Sequence, residues 1–138
     1  MRLRRAHAEF LTRLRVAHVA TADARGRPHV VPVCLVVDGG RLYFASGKTG
    51  RKIRDLRANP QIAVSADDYT EAWGGLRGVV VSGEARIHAR DATFRRIRRR
   101  LYAKYPQYPA EAAMGDRDSV VVAVTPRRVF AWGFDKRG

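Results

Sequence analysis

Cysteine, acidic residues and long apolar runs are what this 138-residue chain has least of. Cys34 is its one cysteine, so no intrachain disulfide can form, and a reducing compartment, the cytoplasm, is expected. That residue falls inside the apolar run 30–37 and is expected to be a small buried side chain. Near the N-terminus Arg13, Arg15 and His18 break up the apolar residues, which removes the apolar core of a signal peptide, and nothing reads as a membrane span. His7, His18, His29 and His88 stand singly. Neither they nor Cys34 form a pair at metal-ligand spacing, so no metal is expected. No serine or cysteine has the context of a nucleophile elbow, and the adjacent carboxylates Asp67-Asp68 fall where a turn is expected. Hydrolytic chemistry therefore has no support.

The shortage of acid is pronounced: 13 Asp and Glu face 27 Lys and Arg, for a net charge of +14. Arginine supplies 23 of the 27. Its planar fork suits phosphate or carboxylate, and such an excess also arises from compositional bias without any partner. Hydrophobic residues make up 46% of the chain in interrupted segments, the composition of an ordinary folded domain. The length suits one domain, 1–138.

Leu3, Ala6, Phe10 and Leu14 recur at helical spacing and predict an amphipathic helix ending near Arg15. Apolar and β-branched runs at 16–21, 30–37 and 42–45 are separated by turn formers and predict three antiparallel strands. Ile53 and Leu56 share one side of a short helix over 51–58, which Asn59-Pro60 stops. Strands follow at 61–66 and 79–88, with an aromatic-bearing loop carrying Tyr69 and Trp73 between them. Phe94, Ile97, Leu101 and Tyr105 mark another amphipathic helix, with one further turn expected over 110–114. The runs 119–124 and 128–132 form a last strand in which Thr125-Pro126 forces a bulge or an edge position. The expectation is a mainly β chain with a few helices, closed as a six-stranded antiparallel barrel so that few strand edges stay unpaired.

One segment carries chemistry of its own. Ser46-Gly47-Lys48-Thr49-Gly50-Arg51-Lys52 runs from a strand into a helix and places three cations where the helix dipole is already positive. A bound anion would reverse that unfavourable arrangement. Backbone N–H groups, the hydroxyls of Ser46 and Thr49, and two glycines complete a phosphate cradle; a solvated basic helix start is the alternative. The nucleotide-triphosphate loop is excluded, because it needs glycine where Leu42 stands. The arginine face 95–100 suits either solvent or nucleic-acid phosphates, and solvent is the commoner use of the outer face of a core helix. Tyr69, Trp73 and Trp132 suit packing or stacking on a planar ring.

The runs Gly26-Arg27-Pro28-His29-Val30-Val31-Pro32-Val33, Leu42-Tyr43-Phe44 and Lys52-Ile53-Arg54-Asp55-Leu56-Arg57-Ala58-Asn59-Pro60 resemble the pyridoxamine 5′-phosphate oxidase-like split β-barrel proteins. The segments 77–83 and 125–134 are similar to the branch that uses coenzyme F-420, an 8-hydroxy-5-deazaflavin. The resemblance implies that Lys52 contacts the cofactor phosphate with Arg51 beside it, and that backbone around Val31, Pro32 and Val33 lines the ring. Ser46, Lys48 and Thr49 join this set from the loop chemistry, and the 69–73 loop would shape an acceptor pocket. The resemblance also implies a homodimer with cofactor sites between subunits, Trp132 facing the partner. The implied activity is hydride transfer between reduced F-420 and a small unsaturated or conjugated acceptor. FMN in the same fold, or cofactor carriage without turnover, are the alternatives. Vitamin B6 oxidation is not expected, because its further arginine and histidine signature finds no match around Arg127, Arg128 and Trp132.

Overall fold

In the computed structural model, residues 3–134 are described; the single-domain reading spans 1–138, and its two ends lie outside them. Helix α1 (Arg5–Arg13) buries His7, Phe10 and Leu11 as one stripe. It ends before the predicted Arg15 because Leu14 is already extended. Strands β1 (Ala17–Ala22) and β2 (Pro28–Val33) pair antiparallel. Their turn is held by the Asp23 carboxylate, which accepts the N–H groups of Arg25 and Arg27, both at 2.9 Å. Strand β3 (Val36–Asp38) leads through Gly39-Gly40, both at positive φ, into β4 (Arg41–Gly47). These two glycines supply the left-handed geometry that a tight hairpin needs.

Helix α2 (Arg51–Ala58), β5 (Gln61–Asp68), a 3-10 turn (Trp73–Gly75) and β6 (Arg77–His88) follow. Helix α3 (Ala92–Lys104) starts at an Asp91 cap whose carboxylate accepts the Phe94 N–H. Helix α4 spans Tyr108–Glu111 and β7 spans Ser119–Trp132. The turn expected over 110–114 thus lies earlier, where Pro109 occupies the first helical turn and Tyr108 packs beside Tyr102 and Tyr105. No helix among the described residues is long and apolar enough to cross a membrane.

The sheet has seven strands, in the order β2-β1-β5-β6-β7-β4-β3, not six. The run 30–37 is two strands lying on opposite edges of the sheet, joined by Cys34 and Leu35. Leu35 has no strand partner: its N–H donates to the Tyr105 hydroxyl (3.2 Å) and its carbonyl accepts from Lys104 Nζ (2.7 Å). The same hydroxyl donates to the Arg15 carbonyl at 2.9 Å. Since two residues connect the edges, the sheet must curl round until they approach, yet β2 and β3 do not pair. The result is a barrel split along one seam.

Inside it lies a core of Val19, Phe44, Val64, Val81, Val122 and their neighbours. A second core lies between α3 (Phe94, Ile97, Leu101) and the outer face of β4 and β7 (Tyr43, Val121, Ala123). Strand β7 is therefore buried on both faces over 120–124, which accounts for its unbroken apolar run. Beyond, Ser82 faces Arg128 while Gly83 faces Pro126, so Arg127 is the bulged residue. Pro126 accordingly stands at a bulge within a central strand, and a side chain on Gly83 would run into the Thr125 carbonyl. At the sheet edge, Pro28 and Pro32 lack N–H groups, leaving Val30 the one donor among these alternate positions of β2.

Tyr105→Phe leaves the Leu35 N–H without its acceptor and should destabilise the fold by about 2 kcal/mol. Chemical denaturation of the two proteins measures it, and equal stabilities would contradict the role given to the seam.

Candidate cofactor site

Strand β4 delivers the chain to the loop 48–50, and α2 begins with no side-chain cap and no acid in its first turn. The loop is pinned by the Lys48 N–H, which donates to the Asp118 carbonyl at 2.8 Å. Ile53 and Leu56 face the barrel core. The helix is also fixed by Asp55, which is buried and accepts the Thr21 hydroxyl at 2.8 Å. This polar tie fixes the rotation of α2 and with it the directions of Arg51 and Lys52.

Those directions diverge. Lys52 enters a groove of about 370 Å³ at the seam, walled by Val16, Pro32, Val33, Cys34, Ala45 and Tyr108. Arg51 turns to a neighbouring groove of about 750 Å³ with Arg27, Pro28 and Arg54. There its guanidinium lies 3.6 Å from Asp55 and 3.5 Å from the carbonyls of Arg27 and Pro28. Of the residues singled out in the sequence, Pro32, Val33 and Lys52 thus come together, while Arg51 lies round the corner. Val31 packs toward the barrel core. Ser46 is buried and its hydroxyl donates to the Gly47 carbonyl. Lys48 and Thr49 are exposed on the loop, and the Thr49 carbonyl accepts from Arg54.

Val16, Cys34, Ala45 and Tyr108 went unforeseen as groove residues. Cys34 is half-buried, not enclosed as its apolar neighbours suggested, because the link between the sheet edges faces the α3 layer and the groove. Tyr108 arrives from α4, and no local pattern marks it as belonging beside residue 32.

The electrostatics are one-sided. No carboxylate lines the groove, and among the described residues Lys52 has no hydrogen-bonding or ionic partner. Burial alone pushes its pKa down. Lys104, behind Cys34, is pushed down to about 8, by burial first and then by Arg15. Burial pushes the Tyr108 hydroxyl up to about 12, so it remains protonated at neutral pH. A half-buried, unpaired ammonium beside an apolar wall favours an anionic group attached to an apolar body.

The loop bearing Tyr69 and Trp73 follows β5 at the end of the sheet where β1 starts and β2 stops, as the pairs His18–Ser65 and Ala17–Val33 require. Its indole N–H donates to the Tyr69 hydroxyl at 3.2 Å, and both rings are exposed. Trp132 lies over Gly78 and beside Phe130. The arginine face of α3 is largely occupied within the chain: Arg96 bonds Asp38, Arg98 bonds Asp116 and the Met114 carbonyl, and Arg100 bonds the Val37 carbonyl.

A seven-stranded antiparallel barrel, open along one seam with the Lys52 ammonium beside the opening, places the molecule among the split β-barrels. The chain belongs to the pyridoxamine 5′-phosphate oxidase family, whose defining sequence pattern matches residues 3–133. Comparison with curated proteins returns no match. Among solved structures, a conserved hypothetical protein of Mycobacterium tuberculosis is similar with a TM-score of 0.80 at 22% identity, over 94% of this chain and 84% of that one. An F-420 reductase is similar with a TM-score of 0.74 at 26% identity, over 93% and 98%. A FAD-binding protein of Mesorhizobium loti gives 0.75 at 25% identity, over 95% of both chains.

Lys104 binds its proton less tightly folded than unfolded, where its pKa is 10.5. Between about pH 8 and 10.5 the unfolded chain therefore holds more protons, and this residue's contribution to stability rises with pH. Denaturation of wild type and Lys104→Met from about pH 7.5 to about 9.5 should show wild type gaining on the variant. A constant difference would contradict it.

Proposed function

We propose that this chain is an oxidoreductase of the split-barrel family that uses coenzyme F-420. The observation that carries the reading is Lys52, a half-buried cation at the open seam with no hydrogen-bonding or ionic partner among the described residues. A cofactor phosphate there supplies the missing anion, and the apolar wall of Val16, Pro32, Val33 and Ala45 suits the body of a planar ring. The residues fit the group on both counts. The F-420 reductase, at 26% identity over nearly the whole of both chains, supports deazaflavin. The FAD-binding relative, at 25%, supports a conventional flavin such as FMN as the second reading.

When bound, the cofactor supplies a hydride for reduction of a small unsaturated or conjugated acceptor. The chain's own part is to hold the phosphate on Lys52, to orient the ring against β2, and to exclude water. Lys48, Thr49 and Arg51 belong to the outer reach of the site, where a charged tail would pass. A catalytic side chain is not needed for hydride transfer itself, and Tyr108 is the groove's protonated hydroxyl.

The active form in this proposal is a cytoplasmic homodimer. On the Val80 side of the bulge the outer sheet face carries Pro32, His18, Ser65, Val80 and Phe130 in register, and the apolar side chains of Val30, Phe130 and Trp132 are exposed there. A second copy on this face would cover the apolar surface and close the groove, since Val16 and Pro32 belong to both. The 69–73 loops would then border the acceptor pocket.

Titration of the purified protein with F-420 and with FMN, followed by absorbance and fluorescence, tests the reading. Lys52→Ala should weaken binding by about tenfold or more while leaving the melting temperature unchanged; equal affinity would overturn the assignment. Val30→Asp should shift the sedimentation coefficient from dimer to monomer, and a dimer that survives it would remove this face as the interface.

A further inference from the structure

At the end of α3 remote from the Lys52 groove, four elements converge on a second concavity of about 280 Å³. Its floor is Ala123 on β7, whose outer neighbours are Arg86 on β6 and Tyr43 on β4. Arg41 and Arg96 stand at its margins with Thr93. The geometry follows from the connection between β6 and α3. Only residues 89–91 join them, Arg90 at positive φ reverses the chain, and Asp91 caps the helix. Thr93 and Arg96, one turn apart, then look back onto the strands.

The acids nearby are already engaged. Asp38 accepts from Arg96 at 3.0 Å and lies 3.5 Å from Arg100. Asp91 bonds His88 and the helix N-terminus, and Glu84 pairs with Arg127. Arg41 reaches only the Thr125 hydroxyl, at 3.2 Å, and Arg86 has no side-chain hydrogen bond or ion pair among the described residues. Three guanidiniums thus border one small cavity with a single carboxylate among their ion-pair partners. All three guanidiniums are solvent-exposed, and their shared positive potential over one concavity favours occupation by an anion. Guanidinium forks match the paired oxygens of phosphate or carboxylate, and hydroxyls of Thr93 and Thr125 are at hand to donate.

We propose that this recess, bounded by Arg41, Arg86 and Arg96, is a second anion-binding site, distinct from the Lys52 groove, for a compact multivalent oxyanion. The ligand is either a phosphate-bearing small molecule or a polycarboxylate. The recess lies on the Arg86 side of the bulge, apart from the apolar face proposed for the partner copy.

The experiment is calorimetric titration with inorganic pyrophosphate and, separately, citrate, at fixed ionic strength. It is done in a Lys52→Ala background, so that it reports on the recess whether or not the Lys52 groove takes a cofactor. Arg86→Gln should weaken binding about tenfold, and Arg41→Gln comparably. Arg99→Gln, an equal loss of charge on the exposed side of α3, should change it less than about twofold. The probe bound more tightly identifies the phosphate or the carboxylate source. Equal losses in all three variants, or no binding of either probe, would overturn the site. Amide shifts at Thr93 and Ala123 on adding pyrophosphate report its place directly, and shifts confined to other segments would likewise overturn it.

Discussion

Two hydrogen bonds to the backbone of Leu35 govern much of this molecule. A chain leaving β2 carries backbone groups that ordinarily need a strand neighbour. Here the Tyr105 hydroxyl and Lys104 ammonium take that place, and the chain can cross from one sheet edge to the other in two residues. Everything at the opening depends on that crossing: the exposure of Cys34, the position of Pro32 and Val33 as a wall, and the approach of α4 with Tyr108. Helix α3 is therefore more than a cover for the outer face of β7. It stands in for the missing strand partner at the seam.

The second constraint is the tie between Thr21 and Asp55. A carboxylate buried in a helix of this charge would draw in several nearby cations; the hydroxyl bond and Arg51 satisfy it on one side. Lys52 is left facing the other way with no counter-charge among the described residues. Two adjacent cations thereby acquire different work, one structural and one available to a ligand, although they differ by a single position in the chain.

Where local pattern and tertiary placement agree, the sequence was readable. Apolar and β-branched runs located β1, β5 and β6, Asn59-Pro60 stopped α2, and Thr125-Pro126 marked a bulge or an edge, of which the structure has the bulge. The break at Cys34-Leu35 was hidden, because a continuous apolar run looks the same whether one strand or two produce it, and the groups that interrupt it lie about seventy residues away. The site was legible as a cationic loop ahead of a helix but not as a groove. Val16, Ala45 and Tyr108 are ordinary residues in their own segments and become a wall only when the seam brings them beside Lys52. Spacing likewise cannot reveal that Arg51 is engaged by Asp55, since the i,i+4 relation becomes an ion pair only after Thr21 fixes the carboxylate.

The prolines of β2 bear on how copies of this chain can meet. A bare strand edge is a template on which further strands add, the usual route from a small barrel to fibrils. With proline at 28 and 32, β2 offers too few donors for such growth, and Arg51 already occupies the Pro28 carbonyl. Self-association through continued sheet is thereby opposed at this edge.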